Sequence, residues 1–500
     1  MKPRYDTLLL QTAASHWTAM SRFREDRERC KRYTYGRQWD DFITYEGRSM
    51  RESDYIRSQG NIPLKNNLIR RIVRNVVGVF RNQYVQPKAK DLDLPDTPQT
   101  DRLLSLLDAN ARANMSEELY ARTMEEFLIS GLAVHRKSTG TRNGRQGVWT
   151  DYVQPDYFII DTDMRDFRGW DASLVGEIHD IGFSELIARM GDSPERVRRL
   201  REIYSPLASP GSVPEISDSF GDPTSARTFL TPTHSGLFRV IEIWRKEPQG
   251  CYRCHDTRNG TLFLIRENEY PLRVEEENRR RSAEASSRLD YRPIRARWSM
   301  EERWRYYFLA PTGEVLSEGD SPYAHGGHPY IFKAYPFIDG EIHSFVSDLI
   351  DQQRYVNRLV TLYDWVMRAS AKGVLLFPEG SLPDGVDIDE ITDEWSRFNG
   401  VILFKPRPGT PLPQQISGNA ANIGITELLE VQLRMMEDVS GVNGALQGKL
   451  ESGAVSGTLY EQQTRHALTG LLDILQSYGC FIRESIRTEL LLLPNSENAT

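Results

Sequence analysis

Residues 342–372 read IHSFVSDLIDQQRYVNRLVTLYDWVMRASAK, and this stretch decides the fold. Val346, Leu349, Ile350, Gln353, Val356, Val360, Tyr363 and Met367 follow each other at helical spacing, so they share one stripe of a helix. No glycine or proline interrupts the run before Gly373. At 1.5 Å per residue, one helix of this length spans roughly 45 Å.

Downstream, a compact unit is expected: a strand at 374–377, a turn at Pro378, Glu379 and Gly380, a short helix from about Asp389 to Phe398, and a strand at 401–404. Pro406, Pro408, Gly409, Pro411 and Pro413 then stiffen an extended return. A second helix runs from about Ile423 to Val439 and stops at Ser440 and Gly441. Residues 444–457 (GALQGKLESGAVSG) form a glycine- and serine-rich loop, a rare connection between long helices and often a functional one. A final helix covers about 458–493, with Gly470 and Gly479 as points where it can kink.

Upstream of the long helix the pattern alternates. One helix is expected over 4–32, with Leu8, Leu9, Ala13, Trp17, Met20 and Phe23 on a stripe. Further helices are expected at 64–83, 98–113 and 116–131, the last ending at Gly131. Short strands follow at 133–135, 148–150 and 157–160, then a turn-rich stretch over 161–171. Residues 205–235 are dense in Ser, Pro, Gly and Thr and read as an exposed loop. Strands resume at 238–244, and the charged segment 272–305 carries Glu275, Glu276 and Glu277 four residues before Arg279, Arg280 and Arg281, a helix-supporting pattern. The fold class is therefore α+β and mainly α-helical.

The 500 residues suffice for about three domains, and 39% hydrophobic with 27% charged residues is ordinary for a folded protein. No apolar run approaches the roughly 20 residues of a membrane helix, and the N-terminus carries no secretory pattern, so no membrane association is expected. A net charge of −7 argues against non-specific grip on DNA by the whole surface. The four cysteines (Cys30, Cys251, Cys254 and Cys480) are too few for a disulfide framework and suit a reducing compartment.

Enzyme signatures are missing. Gly448 and Lys449 are followed by Leu450, so there is no phosphate-binding loop, and neither a zinc-protease nor a serine-hydrolase motif occurs. Cys251, Cys254 and His255 match a haem-attachment spacing, but with no export signal and no second ligand pair they read as thiols on a hairpin. His325 and His328 lie in a glycine-rich turn and read as structural. Asp387, Asp389, Glu390, Asp393 and Glu394 crowd the front of a short helix, where negative charge offsets the helix dipole. No catalytic residue, metal or cofactor is expected.

The order long helix, strand–helix–strand unit, helix, flexible loop, long helix resembles the core of portal proteins of tailed bacteriophages. Asp351, Gln352, Gln353 and Arg354 with Asn357 resemble portal wording on the first stem helix, as does the run Ser440 to Gly448 before the loop. Gly36, Arg37, Gln38 and Trp39, the segment 66–87, and Tyr335 to Gly340 extend the likeness over about 30–490.

That resemblance implies a portal fold with wing, stem, clip and tunnel loop, assembling as a dodecameric ring. It assigns the wing to 1–340, the first stem helix to 341–373, the clip to 374–409, the second stem helix to 410–441 and the tunnel loop to 442–457. The long helix towards a reduced or absent crown is then 458–493, with a tail at 494–500. Residues 238–335 are a β-rich insert of the wing and the alternative clip. The resemblance places Gly448, Lys449, Glu451, Ser452, Gly453, Ser456 and Gly457 at the DNA channel. It places Asp387, Asp389, Glu390, Asp393, Lys405 and Arg407 on a clip surface that binds terminase or adaptor. The implied partners are further copies of the chain, the terminase large subunit, head–tail adaptor or tail proteins, and the major capsid or scaffolding protein. Double-stranded DNA passes through the channel. The implied location is the capsid vertex of the virion, after assembly in the host cytoplasm. The rival readings are another head–tail assembly or scaffold protein, and a nucleic-acid-processing enzyme.

Overall fold

The computed structural model describes residues 4–83, 98–206, 228–284, 291–323, 325–372, 374–378, 385–396, 402–405, 409, 411–416, 424–442 and 469–493. It is a mixed α/β structure with close to half of those residues helical. The chain divides into two units, one of Met1–Lys31, Val73–Ser347 and Leu471–Thr500, the other of Arg32–Ile72 and Asp348–Gly470.

The first unit is built on an antiparallel sheet. Its strands run in the order Val315–Asp320, Ile294–Leu309, Phe238–Asp256, Leu174–Ile181 and Phe158–Ile160, with Leu262–Arg266 also pairing Phe238–Asp256. In Phe238–Trp244 neighbouring apolar residues (Val240 and Ile241, Ile243 and Trp244) are all buried, as on a strand covered on both faces. Ile241 and Ile243 face a cluster with Leu9, Leu10, Ala13, Ala14 and Trp17 of the helix Thr7–Ala19. Trp244 turns the other way, to a cluster with Leu132, Val134 and Tyr330 from a second, three-stranded sheet. That sheet has the order Tyr330–Ala334, Leu132–Arg142, Arg145–Tyr152.

The helix Ser116–Ser130 ends as expected at Gly131, whose φ of +79° needs glycine. A Cβ there would also lie 2.8 Å from the carbonyl oxygens of Tyr335 and His343.

Two expectations need correction, and a third holds over only part of its segment. The single helix over 4–32 is two helices, Thr7–Ala19 and Ser21–Thr34. Arg24 lies over the Trp17 ring at 3.4 Å and donates to the Trp17 carbonyl, which stabilises the break at Met20. The helix-supporting pairs do lie on a helix, Glu276–Glu284, which follows a π-turn at Pro271–Glu275, but among the described residues the later part of the charged segment is the 16-residue strand Ile294–Leu309. Pairing with Phe238–Asp256 along that strand's whole length overrides the local charge pattern. Finally, residues 402–405 form no strand; Val374–Leu376 pairs with Gln414–Ile416 instead. Pro411 and Pro413 lack ladder donors, so pairing on this return begins after the last proline.

The final helix of the first unit, Leu472–Leu492, is anchored by a buried ion pair. Lys137, with no exposed surface, donates to Glu489 Oε2 at 2.8 Å and to Thr150 Oγ1 at 2.7 Å. Asn110 Nδ2 donates to Glu489 Oε1 at 2.5 Å. Burial lowers the Lys137 pKa, and Glu489 opposes that shift. Glu489→Ala would strand a buried ammonium group, so a loss of about 3–5 kcal/mol is expected. Denaturant unfolding should show it, with Glu489→Gln milder because the shape and one of the two acceptor oxygens are kept.

In the second unit, Ser347–Lys372 is a 26-residue helix, shorter at its start than expected because Ser344 Oγ accepts from the Ser347 amide at 2.9 Å. Ile388–Ser396 and Ile425–Ser440 follow, the latter flanked by Gly424 and Gly441 at φ +67° and +64°. Of the expected helix over 458–493, residues 458–468 lie outside the described part, and Gly479 sits within Leu472–Leu492 without breaking it.

Candidate ring and partner-binding surfaces

The motifs at 36–39, 66–67 and 351–357 converge in the second unit as one buried amide network. Gln353 Oε1 accepts from the Leu68 and Ile69 amides at 2.9 and 3.2 Å, satisfying two orphan donors in the first turn of the helix Leu68–Gln83. Its Nε2 donates to the Asn66 carbonyl at 2.7 Å and to Asn357 Oδ1 at 3.0 Å. Asn357 Nδ2 donates to Gln38 Oε1 at 2.7 Å, and Gln38 Nε2 donates to the Tyr33 carbonyl and Asn67 Oδ1 at 2.9 and 3.0 Å. Alongside, buried Glu52 accepts from Arg354 and Arg358. Gln353 stood on the apolar stripe of the sequence; the network gives the reason a polar residue belongs there.

Beyond this network the long helices turn apolar side chains to solvent. On Ile425–Ser440 the buried residues are Ile425, Gln432, Met436 and Ser440. Leu428, Val431, Met435 and Val439, spaced by three and four, are 38–51% exposed. On Ser347–Lys372, Leu349, Ile350, Gln353 and Val356 are buried as expected, as is Val346 just before it, whereas Tyr363 and Met367 are exposed, along with Tyr355, Leu362 and Trp365. A solvent-facing apolar stripe of this kind marks an assembly surface.

Among the sequence candidates, Asp387 Oδ1 accepts from the Ile388 amide at 2.7 Å, and its carbonyl accepts from Glu390, so it starts the helix Ile388–Ser396. Asp389, Glu390 and Asp393 are exposed on that helix, and Lys405 is exposed beyond it. Arg407, Gly448, Lys449, Glu451, Ser452, Gly453, Ser456 and Gly457 lie outside the described residues.

Two groups bring metal-type ligands together, and each has another explanation. Glu177, His179 and Glu242 lie close, but Arg136 is 3.2 Å from Glu242 Oε2 and already supplies the positive charge. Burial pushes the Glu242 pKa up, yet Arg136 and the bonds from His179 and Trp244 outweigh it and hold the group at about 2. The trio thus belongs to a neutralised network between the two sheets. Near His16 and Asp163, the Asp161 carboxylate accepts from the Ser173 amide and hydroxyl at 2.7 Å, closing the turn-rich loop. Cys251 and Cys254 are free and buried, three residues apart on the strand Phe238–Asp256. Alternation sends them to opposite faces, so the pair cannot hold one metal or haem.

Apolar stripes on long helices and a polar network that locks one of them define the class: a subunit built for assembly. A family model of the phage P22-like portal protein matches residues 10–495, and the chain belongs to that family. No curated protein matches it. The family is structural rather than catalytic, and membership implies an oligomeric ring, phage assembly partners and a place in the virion capsid. Among the described residues, no helix is long and apolar enough to cross a membrane.

Proposed function

We propose that copies of this chain close into a dodecameric ring at one capsid vertex, through which the terminase packages double-stranded DNA and from which DNA is later ejected. Ser347–Lys372 and Ile425–Ser440 are the two stem helices, residues 374–409 the clip between them, 442–457 the tunnel loop, and 1–340 the wing. The observation that carries this reading is the exposed stripe of Leu428, Val431, Met435 and Val439. A ring needs heterologous contacts in which one side of a subunit covers the other side of its neighbour. Stem helices with apolar stripes supply that surface.

Exposed Asp389, Glu390 and Asp393, with Lys405 and Arg407, form the clip face for the terminase large subunit and then for the head–tail adaptor. Capsid or scaffolding protein surrounds the ring. Gly448, Lys449, Glu451, Ser452, Gly453, Ser456 and Gly457 form a loop against the DNA. Deleting 449–456 tests this: the ring should keep its mass while DNA packaging or retention falls by at least about tenfold. A deletion variant that cannot form rings would make the loop structural, and one that packages normally would remove it from the channel.

A further inference from the structure

The strand Ile294–Leu309 is covered unevenly on its outer side. Val315–Asp320 pairs with it only from Leu309 to Arg305, and the Ser321 amide reaches the Trp304 carbonyl. From Ile294 to Arg303 no strand pairs on that side among the described residues, although Phe238–Asp256 pairs along the whole of the other side. At its start the Ile294 amide and carbonyl are already bonded by the Asn278 side chain, which leaves Arg295–Arg303, an open edge about nine residues long and a template for an added strand.

The side chains along this edge separate by face. The cross-strand register puts Arg297 opposite Arg253, with Leu264 beyond, and Arg295 opposite His255, with Leu262 beyond. All six are exposed. Arg253 pairs with Glu301, whereas Arg295 and Arg297 have no ion pair among the described residues. Like charges directly opposite each other cost stability in a sheet, so this face lacks its anions. The other face holds Cys254, Ile265, Val274 and Ile294 in a small core, and past that core Trp298 and Met300 are about half exposed.

We propose that the edge Arg295–Arg303 binds an acidic polypeptide segment by strand addition. Alternation decides the chemistry of the occupant. Side chains of an added strand stand about 4.8 Å from those of the edge, acidic ones beside Arg295 and Arg297, apolar ones beside Ala296, Trp298 and Met300. A nucleic-acid backbone would satisfy the arginines but would leave the strand's amides and carbonyls unpaired and Trp298 wet.

The test uses the full-length protein and a fluorescein-labelled ten-residue peptide of alternating glutamate and valine. Saturable binding is expected, and Arg295→Glu with Arg297→Glu should weaken it by about tenfold or more. The same double variant should gain affinity for a lysine–valine peptide of equal length. A glutamate–proline peptide, which cannot extend a sheet, should bind at least about tenfold more weakly. Both arginines are exposed, so the variant keeps its far-UV circular dichroism. Absence of glutamate–valine binding, equal binding of the proline peptide, or no effect of charge reversal would overturn the proposal. So would a short DNA duplex that binds more tightly than the peptide and loses that binding in the variant.

Discussion

The double variant Val431→Glu, Met435→Glu is expected to leave the chain folded and abolish the ring. Both side chains are close to half exposed in the single chain, so neither substitution opens a cavity within it. In a closed ring each would be covered by the neighbouring subunit. Apolar burial is worth about 1.5–3 kcal/mol per side chain, and an unpaired carboxylate at such a contact costs several kcal/mol more. A heterologous ring repeats the defect at every interface, so the penalty multiplies with each subunit added. Mass photometry should report single chains in place of rings, with circular dichroism unchanged. Rings that persist in this variant would place the subunit contacts elsewhere.

Gln353→Leu is expected to have the largest effect on the second unit itself. The change keeps side-chain size but takes the acceptor from the Ile69 amide and one of two partners from the Leu68 amide, the Asn66 carbonyl and Asn357 Oδ1, which keep the bonds Leu68 N–Asn66 O and Asn66 N–Asn357 Oδ1. A buried group left unsatisfied costs about 1–3 kcal/mol and a weakened network adds to that, so a total of roughly 2–4 kcal/mol is expected. Thermal unfolding should show a transition lowered by many degrees. Arg37→Ala, at an exposed pair with Asp40, should shift it very little. A Gln353→Leu protein as stable as the parent would mean that the network contributes nothing net.

The helices were legible because their stripes and stop signals are local. Gly131 and Gly441 end helices where the sequence placed the ends, and Leu349, Ile350 and Val356 bury as their spacing demands. The amide network was not legible as a network, since Gln353 and Leu68 are 285 residues apart and only the fold joins them. Its members could be singled out as short motifs, but their hydrogen-bond roles could not be assigned. The region 238–335 was legible as β-rich, but the strand Ile294–Leu309 itself was not placed, because five of its residues are arginine or glutamate between 295 and 303, a pattern that helices and solvated strands share. Its partner strand, not its own composition, decides its conformation. Residues 401–404 misled for a similar reason: a short β-branched and aromatic run has strand propensity, yet the ladder formed at Gln414–Ile416 after the prolines. Cys251 and Cys254 matched a ligand spacing that makes sense on a turn or helix and fails on a strand.

The central claim is that this chain closes into a ring through the exposed stripes of its long helices. Native mass measurement of the purified protein, paired with negative-stain images of the same particles, tests it most directly. The expected result is a single dominant species of about twelve times the 57.5 kDa chain mass, seen end-on as a ring with a central channel. A protein that stays at one chain mass at micromolar concentration, or that forms only open chains of irregular length, would contradict it.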